Sequence, residues 1–545
     1  MKKTSIISFS LLLTSILAGA QTRIFHTSSS NVDLIQDKDT LKGGWTVSPE
    51  IKPDVLETTA NVITFASDKD TLTIENLKEW ETFDFVMLTE KGDSAYARVK
   101  RIAKNPFENP DPDFLKIAPS GKLSREQAAF DIDALIYGLS QVHPDIFAVC
   151  SQADLFRAVN KAKKSLPDSV SKLDLYKVAA PIVAMIGDGH TNLSFPTKSV
   201  FTSDLKRMPL YVDVLTDRSI ICKSSLDSII KRGDKILSIN GVSSDSLINA
   251  MMPYVSGERA HFKISRINSN FTGLFQMLFP AEEYIVEYQP AETKKKLSHT
   301  FPALAFDEIK KRCPTTRTRK KYKNYSYSVD SLNNVAIMDF RSFSNVDKMT
   351  EFADSMFSDL RKRNIKNLII DIRNNGGGNS AVGDVVLRYI SPEPFVQMDK
   401  ALVRVTPLTL KLMKESNSAS PMFAFYEVDP DEYIEPLTKE EGHYDGNVYL
   451  LTSNHTFSSA GSFAWTFKEC GMGKVIGEET GGMNVCFGDI LPYKLPISNL
   501  STSISFKRFW QLRADENDVH GTLPDIEVPA ADALERAMKL VKKKK

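Results

Sequence analysis

The chain has 545 residues, and its 69 Lys and Arg against 68 Asp and Glu give a formal net charge of +1. This balance excludes a generally basic nucleic-acid-binding protein and an acidic disordered chain. The 42% hydrophobic and 25% charged residues are ordinary globular values. At about 100–200 residues per domain, the length predicts three to five domains. The five cysteines are too few for a disulfide scaffold and lack zinc-type spacing.

The first twenty residues have the layout of a cleavable secretory signal. Lys2 and Lys3 precede an apolar stretch from Ile6 to Leu17, and the small residues Ala18-Gly19-Ala20 follow. The stretch is shorter than the about 20 residues of a spanning helix, and no lipid-attachment cysteine follows. We therefore expect a mature protein from about residue 21, exported to the periplasm or the cell exterior. A buried helix or an uncleaved anchor is the alternative.

Residues 21–112 alternate short apolar runs with polar turns, which predicts a small β domain. Proline-rich turns at 105–112 mark a linker. The predicted strands are Asn61–Phe65, Thr71–Ile74 and Phe83–Leu88.

Helical periodicity follows from Ser124, whose spacing to Gln127 indicates a capping box. Two further helices, about 153–166 and 174–185, lead into the turn Gly187-Asp188-Gly189-His190-Thr191. Residues 205–260 favour strands, with a turn at Asn240-Gly241. The basic stretch Lys310–Lys323 is interpreted as a solvated connector rather than a polyanion site.

From about residue 330 the pattern becomes strand, helix, strand. The continuous apolar run Leu368–Ile372 predicts a strand covered on both faces, as in an α/β layer. The other elements predicted here are strands Val335–Phe340 and Val448–Thr452 and helices Val346–Arg363, Ser458–Glu469 and Ala531–Lys542.

Two turns in this part carry candidate chemistry. Ser458 begins a helix after a strand and a tight polar turn; such a serine is more often an N-cap. The alternative is a nucleophile whose developing negative charge the helix N-terminus stabilises. The second turn, Asp371 to Asn379, contains three glycines whose N–H groups suit an oxyanion hole. No Walker spacing supports a phosphate site.

A serine nucleophile needs a base, and the chain has eight histidines. His190 lies in a compact glycine turn suited to presenting an imidazole, although a lone histidine is more often structural. His455 and His520 are the alternative bases. No His-Glu-x-x-His pattern indicates a zinc hydrolase, and no Gly-x-Ser-x-Gly elbow indicates a common α/β-hydrolase.

Together these motifs resemble the carboxyl-terminal processing peptidase family of serine peptidases, which includes tail-specific proteases and the tricorn protease core. The resemblance covers about residues 124–541, with four elements in the family's order: 187–191, 234–241, 371–378 and 456–460 followed by 477–482. It implies a ClpP/crotonase-like α/β catalytic core with a helical segment, an embedded PDZ-like domain and an N-terminal β domain. The implied division is a signal peptide 1–20, the β domain 21–112, the helical segment 113–204, the PDZ-like domain 205–300 and the peptidase core 301–545.

The resemblance also implies the roles of individual residues. Ser458 is the nucleophile and His190 the base, while the backbone N–H groups of Gly377 and Ser459 form the oxyanion hole. No lysine occurs from Glu478 to Tyr493, where the tail-specific branch has its base, so the chain is more similar to the tricorn-like branch.

That branch places an acid six residues before the proline of a Gly-x-x-Pro-Asp segment, which here is Asp518 before Pro524. Asp515 and Glu516 are possible substitutes. The implied activity is hydrolysis of peptides or unfolded proteins, with no metal, cofactor, nucleic acid or membrane span. A PDZ-like segment either binds extended C-termini by strand addition or covers the cleft. The alternative function is an inactive peptide- or ligand-binding protein on the same fold.

Overall fold

A computed structural model describes residues 111–543, apart from 203–204, 314–321, 414–423 and 429–431, together with five strands among residues 34–75. These strands pair as an antiparallel hairpin and an antiparallel three-stranded sheet. They are β1 Leu34–Asp37, β2 Thr40–Lys42, β3 Asp54–Thr59, β4 Val62–Ala66 and β5 Thr71–Glu75. Two predicted strands thus correspond to β4 and β5. The predicted signal segment and the strand Phe83–Leu88 lie outside the described residues.

A helical segment follows, and its first helix begins as the sequence predicts. Gln127 N donates to Ser124 Oγ at 3.2 Å, and Ser124 N donates to Gln127 Oε1 at 3.0 Å, so the capping box is confirmed. The elements are β6 Leu123–Ser124, α1 Arg125–Val142, α2 Gln152–Ser165, β7 Ser169–Val170, α3 Lys172–Ala184, β8 Asn192–Leu193 and α4 Thr197–Val200.

The next segment, called here the insert (residues 206–305), is built on an antiparallel sheet in the order β10-β11-β12-β14-β15, with β13 beside β12. The predicted turn lies between β12 and β13, with Asn240 and Gly241 at φ 49° and 76°. Its elements are β9 Lys206–Arg207, β10 Leu210–Val214, β11 Ile220–Ser225, β12 Lys235–Ile239, β13 Val242–Ser243, α5 Ser244–Met251, α6 Ala260–Leu278, β14 Glu283–Gln289, β15 Leu297–Pro302 and β16 Leu304–Ala305.

The C-terminal half is the α/β core. Its elements are α7 Phe306–Arg312, β17 Tyr325–Asp330, β18 Val335–Phe340, α8 Val346–Lys362, β19 Asn367–Asp371, α9 Ala381–Ile390, β20 Met398–Val405, α10 Pro407–Met413, β21 Ala424–Val428, β22 Asn447–Thr452, α11 Ser459–Glu469, β23 Lys474–Gly477, β24 Val485–Lys494, β25 Ser501–Gln511, β26 Ile526–Glu527 and α12 Ala533–Lys543.

Two sheets organise this core. The first runs β17-β18-β19-β22-β23-β26 and is parallel from β18 to β26. The second is antiparallel in the order β21-β20-β25-β24, and β8 of the helical segment pairs with β25. The residues just after His190 are therefore held by the core, although they come from the helical segment.

The apolar strand β19 is covered on both faces, as predicted. Leu368 and Ile370 are fully buried in a cluster that includes side chains of α8, α9 and α11. Ile369 points the other way, into a cluster with Ala537 of α12. Alternation along the strand therefore sends successive apolar side chains to opposite faces.

All five cysteine thiols are free. Among the described residues, no helix is long and apolar enough to cross a membrane.

Candidate active site

The candidate site lies at one edge of the parallel sheet. Strands β19 and β22 are parallel neighbours, with Asp371 opposite Leu451, so the loops that follow them meet at their carboxyl ends. This edge is where open α/β sheets bind ligands. The two loops are joined by hydrogen bonds: Phe457 N donates to Asn375 O at 3.2 Å, and Thr456 Oγ1 donates to Ile372 O at 3.0 Å.

Ser458 immediately precedes α11, in the N-cap position. Its side chain makes no capping hydrogen bond, and its backbone has φ 56° and ψ −134°. A residue other than glycine in this region is strained, typically by about 1–3 kcal/mol, and such strain clusters at functional sites. The Ser458 hydroxyl is therefore not used to cap its helix. It lies at the positive end of the helix dipole, where negative charge is favoured.

The two expected oxyanion donors differ. Ser459 N–H has no hydrogen-bond partner within the described part of the chain, as an oxyanion donor requires. Gly377 has φ 99°, and a Cβ there would lie 2.8 Å from Ser458 Cβ and 2.9 Å from Ser459 N, so only glycine fits. However, Gly377 N–H donates to Asn375 Oδ1 at 2.9 Å. One predicted donor is free, and the other is already engaged.

His190 reaches this edge from the helical segment. Its loop follows α3 and leads into β8, which pairs with β25 through Asn192 and Ser503. The imidazole packs on Phe457, the neighbour of Ser458, with 4.4 Å between ring centroids. His190 and Ser458 line the same small pocket, so two residues far apart in sequence are brought together. The same pocket is bordered by Met483 and Cys486.

A carboxylate that the sequence analysis did not single out faces His190. Asp188 Oδ1 lies 3.7 Å from His190 Nδ1 and accepts a hydrogen bond from His190 N at 2.8 Å. Asp188 Oδ2 accepts from Ser505 Oγ at 2.6 Å and lies 3.3 Å from His143 Nε2. Burial opposes ionisation, but hydrogen bonds and charge from both histidines hold the pKa of Asp188 well below its usual value. Asp188 is therefore an ionised, buried partner of His190.

Asp518 makes different contacts. Its Oδ1 accepts from His520 N at 2.9 Å, and within the described ranges no hydrogen bond or ion pair links it to His190. Its suggested substitute Glu516 accepts from Trp510 Nε1 at 2.6 Å. The acid role of Asp518 stays a prediction, whereas Asp188 is in contact with the base. The signal for Asp188 was present in the sequence, because an aspartate two residues before a histidine can bond its backbone N–H.

Neither alternative base lines the pocket that holds Ser458 and His190. The His520 ring lies 3.1 Å, Nδ1 to Oε1, from Glu479. His455 N donates to Ser453 Oγ at 3.0 Å, and the residue is exposed.

A second acid, Glu258, enters from the insert. Its Oε1 accepts a hydrogen bond from Gly189 N at 3.0 Å. Burial, and after it the charge of Asp188, raises the pKa of Glu258 above its ordinary value. Asp188, His190 and Glu258 bring ligand-type atoms within 4.8 Å of one another, so these three residues have the donor set to hold a metal ion. Sequence spacing gave no sign of this cluster, because Glu258 comes from another segment.

Helix α6 of the insert also contacts the site, through hydrogen bonds and ring packing. Arg266 donates to Gly189 O at 2.5 Å and to Asn192 Oδ1 at 2.9 Å, on both sides of His190. Its guanidinium lies 4.7 Å from the Phe262 ring centroid, and Phe262 stacks on Phe457 at 4.2 Å. The insert therefore contacts both the histidine loop and the serine turn.

The site therefore combines a strained serine at a helix start, a glycine loop beside it and a histidine with a buried aspartate, on an α/β sheet. Residues 334–528 match the model of Peptidase family S41, so this part of the chain is a domain of that family of serine-type peptidases. It includes Ser458, Gly377 and Asp518, whereas His190 lies outside it.

Solved structures similar to this chain bear on its fold. Mature CPAF is 14% identical over 77% of this chain and 96% of its own, with a TM-score of 0.55. Mature CPAF complexed with lactacystin is 14% identical over 77% and 97%, with a TM-score of 0.53. The photosystem II D1 C-terminal processing protease is 14% identical over 76% and 97%, with a TM-score of 0.38. The CPAF matches confirm the mixed α/β fold expected from the sequence.

Proposed function

We propose that this protein is an exported serine peptidase that hydrolyses peptide bonds through an acyl-enzyme. The observation that carries the proposal is the pocket shared by Ser458 and His190, in which the serine hydroxyl is not used as a helix cap. The family of the core domain agrees with this assignment.

The proposed chemistry follows from the two side chains. Ser458 Oγ attacks the scissile carbonyl while its proton moves to His190 Nε2. The carbon–nitrogen bond then breaks, and the same proton passes to the leaving amine. Water then attacks the acyl-enzyme carbonyl in the same way, and its proton moves to His190. The bond to Ser458 Oγ breaks, the proton returns to Ser458, and the acid product is released.

Negative charge on the carbonyl oxygen needs two donors. Ser459 N–H supplies one, at the N-terminus of α11. Gly377 N–H supplies the second only when it leaves Asn375 Oδ1, to which it donates at 2.9 Å. We therefore propose that substrate binding completes the oxyanion hole by turning the glycine loop.

For the acid, we propose Asp188. The ionised carboxylate, with Oδ1 at 3.7 Å from His190 Nδ1, favours the imidazolium that forms during attack. Asp518 is the acid implied by the family resemblance and is the alternative. If Asp188 is the acid, Asp188→Asn should lose turnover. If Asp518 is the acid, Asp518→Asn should lose it instead.

Peptides or unfolded proteins are the proposed substrates, and processing of C-termini is the narrower suggestion. Within the insert, Val214 N of the edge strand β10 donates to Asn268 Oδ1 of α6 at 2.9 Å. This satisfies one donor that an added peptide strand would use. The contact, with those of Phe262 and Arg266, favours the insert as a cover of the cleft.

A fluorophosphonate probe tests the proposal. Wild-type protein should be labelled at Ser458, as located by peptide mass spectrometry, and Ser458→Ala should not be labelled. Ser462→Ala is the matched control, because this serine lies one helical turn further along α11 and should leave labelling intact. If folded wild-type protein is never labelled under conditions in which a known serine hydrolase is labelled, the proposal that this protein is a serine peptidase is refuted.

The alternative function is a peptide-binding protein without catalysis. The engaged Gly377 N–H favours it, since only one oxyanion donor is free before substrate binds. Such a protein should bind peptides with equal affinity in wild type and Ser458→Ala while neither labels. The export proposal has its own test, which is the N-terminal sequence of the secreted protein, expected at about residue 21.

A further inference from the structure

Two buried side-chain atoms at the candidate active site have no hydrogen-bond partner among the described residues. They are His190 Nδ1 and Glu258 Oε2. A buried polar atom is normally paired, and an unpaired one calls for an explanation such as an ion. Asp188 Oδ1 lies 3.7 Å from His190 Nδ1, and one donor atom from each of the three residues lies within 4.8 Å of the others.

The local charge also calls for a cation. Within the part of the chain that the structure describes, no Lys or Arg ion pair reaches Asp188 or Glu258. The nearby Arg266 directs its donors instead to Gly189 O and Asn192 Oδ1. Two acids therefore converge on His190 without an ion pair to Lys or Arg in the described residues, although Arg266 is close enough for its charge to act on both and His143 approaches Asp188 at 3.3 Å.

We propose that Asp188, His190 and Glu258 bind a zinc ion, with His190 coordinating through Nδ1. One imidazole and two carboxylates are ligands that Zn²⁺ accepts, at about 2.0–2.2 Å for nitrogen and oxygen. Three protein ligands leave a fourth position for water or substrate. The donor atoms now lie within 4.8 Å of one another, so the side chains must draw closer together when the ion binds.

The surroundings of Asp188 suit this role. Ser505 Oγ and His143 Nε2 approach its Oδ2 at 2.6 and 3.3 Å, which leaves Oδ1 directed at His190. Gly189 N likewise holds Glu258 through Oε1, while Oε2 is buried and has no hydrogen-bond partner. Outer-shell hydrogen bonds of this kind orient metal-binding carboxylates.

The ion would act as a reversible inhibitor, and this consequence rests on the proposed function. A neutral imidazole coordinated through Nδ1 carries its proton on Nε2. Nε2 then has no lone pair for the Ser458 proton, so the base is blocked while zinc is bound. Removing the ion restores it.

Binding is tested without catalysis. Metal-stripped full-length mature protein carrying Ser458→Ala is titrated with zinc chloride by calorimetry and with cobalt chloride by visible absorption. We expect one saturable site and cobalt d–d bands. Glu258→Gln should weaken binding by about 10–100-fold or more, the scale at which even outer-shell partners act. His190→Ala is a second variant, in case Glu258→Gln does not fold.

The matched control is Glu292→Gln, which removes the same charge from an exposed position of the insert and should bind zinc as before. No saturable binding, or unchanged affinity in both Glu258→Gln and His190→Ala, would overturn the site.

The consequence is tested separately in active wild-type protein. Zinc should lower the rate of fluorophosphonate labelling, EDTA should restore it, and folded Glu258→Gln should need at least tenfold more zinc for the same loss. Calorimetric binding with unchanged labelling overturns the inhibition but not the site. Wild-type protein that never labels refutes the proposed function, while the Ser458→Ala titration still decides the site.

Discussion

The imidazole ring of His190 packs against the phenyl ring of Phe457, with 4.4 Å between the centroids and 32° between the planes. Phe457 directly precedes Ser458 and also stacks on Phe262 of the insert at 4.2 Å. One aromatic side chain therefore connects the three segments that form the site. The relative position of base and nucleophile depends on this contact, since the segments are far apart in sequence.

Phe457→Leu should uncouple the base from the nucleophile. It keeps an apolar side chain but removes the ring surface on which His190 rests. A misplacement of about 1 Å costs on the order of 10²-fold in rate, so we expect a fall of that size in kcat with KM little changed. Steady-state kinetics on a peptide substrate measure both constants.

The control for this change is Phe467→Leu. Phe467 is a fully buried residue of α11, the helix that follows Phe457, and it packs in the core. The control variant should lose stability but keep its rate per folded molecule. Equal kcat in Phe457→Leu and wild type would contradict the positioning role of the ring.

Ser458→Gly and Ser458→Ala should both be inactive but should differ in stability. The backbone at φ 56° and ψ −134° suits glycine and strains alanine. Strain of about 1–3 kcal/mol, reduced by the about 0.4–1 kcal/mol of extra unfolded-state entropy of glycine, leaves the glycine variant more stable by about 1 kcal/mol. Denaturant unfolding of the pair measures this difference, and an alanine variant more stable than the glycine variant by about 0.4–1 kcal/mol would mean that the turn stores no strain.

Two adjacent glycines provide a matched pair. Gly377→Ala would place a Cβ 2.8 Å from Phe457 O and Ser458 Cβ at φ 99°, whereas a Cβ at Gly376 meets nothing within 4 Å. We expect Gly377→Ala to abolish fluorophosphonate labelling and to lower the free energy of unfolding by more than about 1 kcal/mol. Gly376→Ala should label normally. Normal labelling of Gly377→Ala would exclude this loop from the site.

Asp188→Asn and Asp518→Asn separate the two proposed acids. The asparagine at 188 removes the negative charge beside His190 Nδ1, and loss of such a charge in a serine–histidine–acid site lowers kcat by about 10⁴-fold. Asp518→Asn should be milder, because its Oδ1 accepts from His520 N rather than contacting His190. Turnover rates are compared for both variants. Circular dichroism checks that each is folded, because Asp188 is buried and its substitution can disturb folding. A larger loss in a folded Asp518→Asn would instead support the acid implied by the resemblance.

The sequence predicted what depends on local pattern. The capping box at Ser124, the doubly covered strand β19 and the turn of Ser458 each follow from a few neighbouring residues. The resemblance then led to His190 and to the α/β core. It did not assign a role to Asp188, although this residue lies within the motif 187–191. It did not single out Glu258 either, because that residue lies outside the four motifs.

The missed features depend on side-chain direction and on docking. The Asp188 side chain accepts a hydrogen bond from the backbone N–H of His190 in the same loop, and the Asn375 side chain accepts one from the Gly377 N–H. Both are bonds between residues two apart, a pattern known for aspartate and asparagine. Glu258 was beyond prediction, because its place beside Gly189 follows from how the insert packs on the helical segment.

Arg266 should position His190 without contacting the reacting atoms. Its two hydrogen bonds hold Gly189 O and Asn192 Oδ1, on either side of the base. Arg266→Ala should lower kcat by about 10²-fold with KM little changed, as expected for a small displacement of a catalytic group. Arg266→Lys should recover only part of the loss, because an ammonium group lacks the planar fork that reaches both oxygens. Arg232→Ala, at an exposed arginine of the same insert, is the control and should keep its rate. Full activity in a folded Arg266→Ala would show that the histidine loop holds its position without the insert.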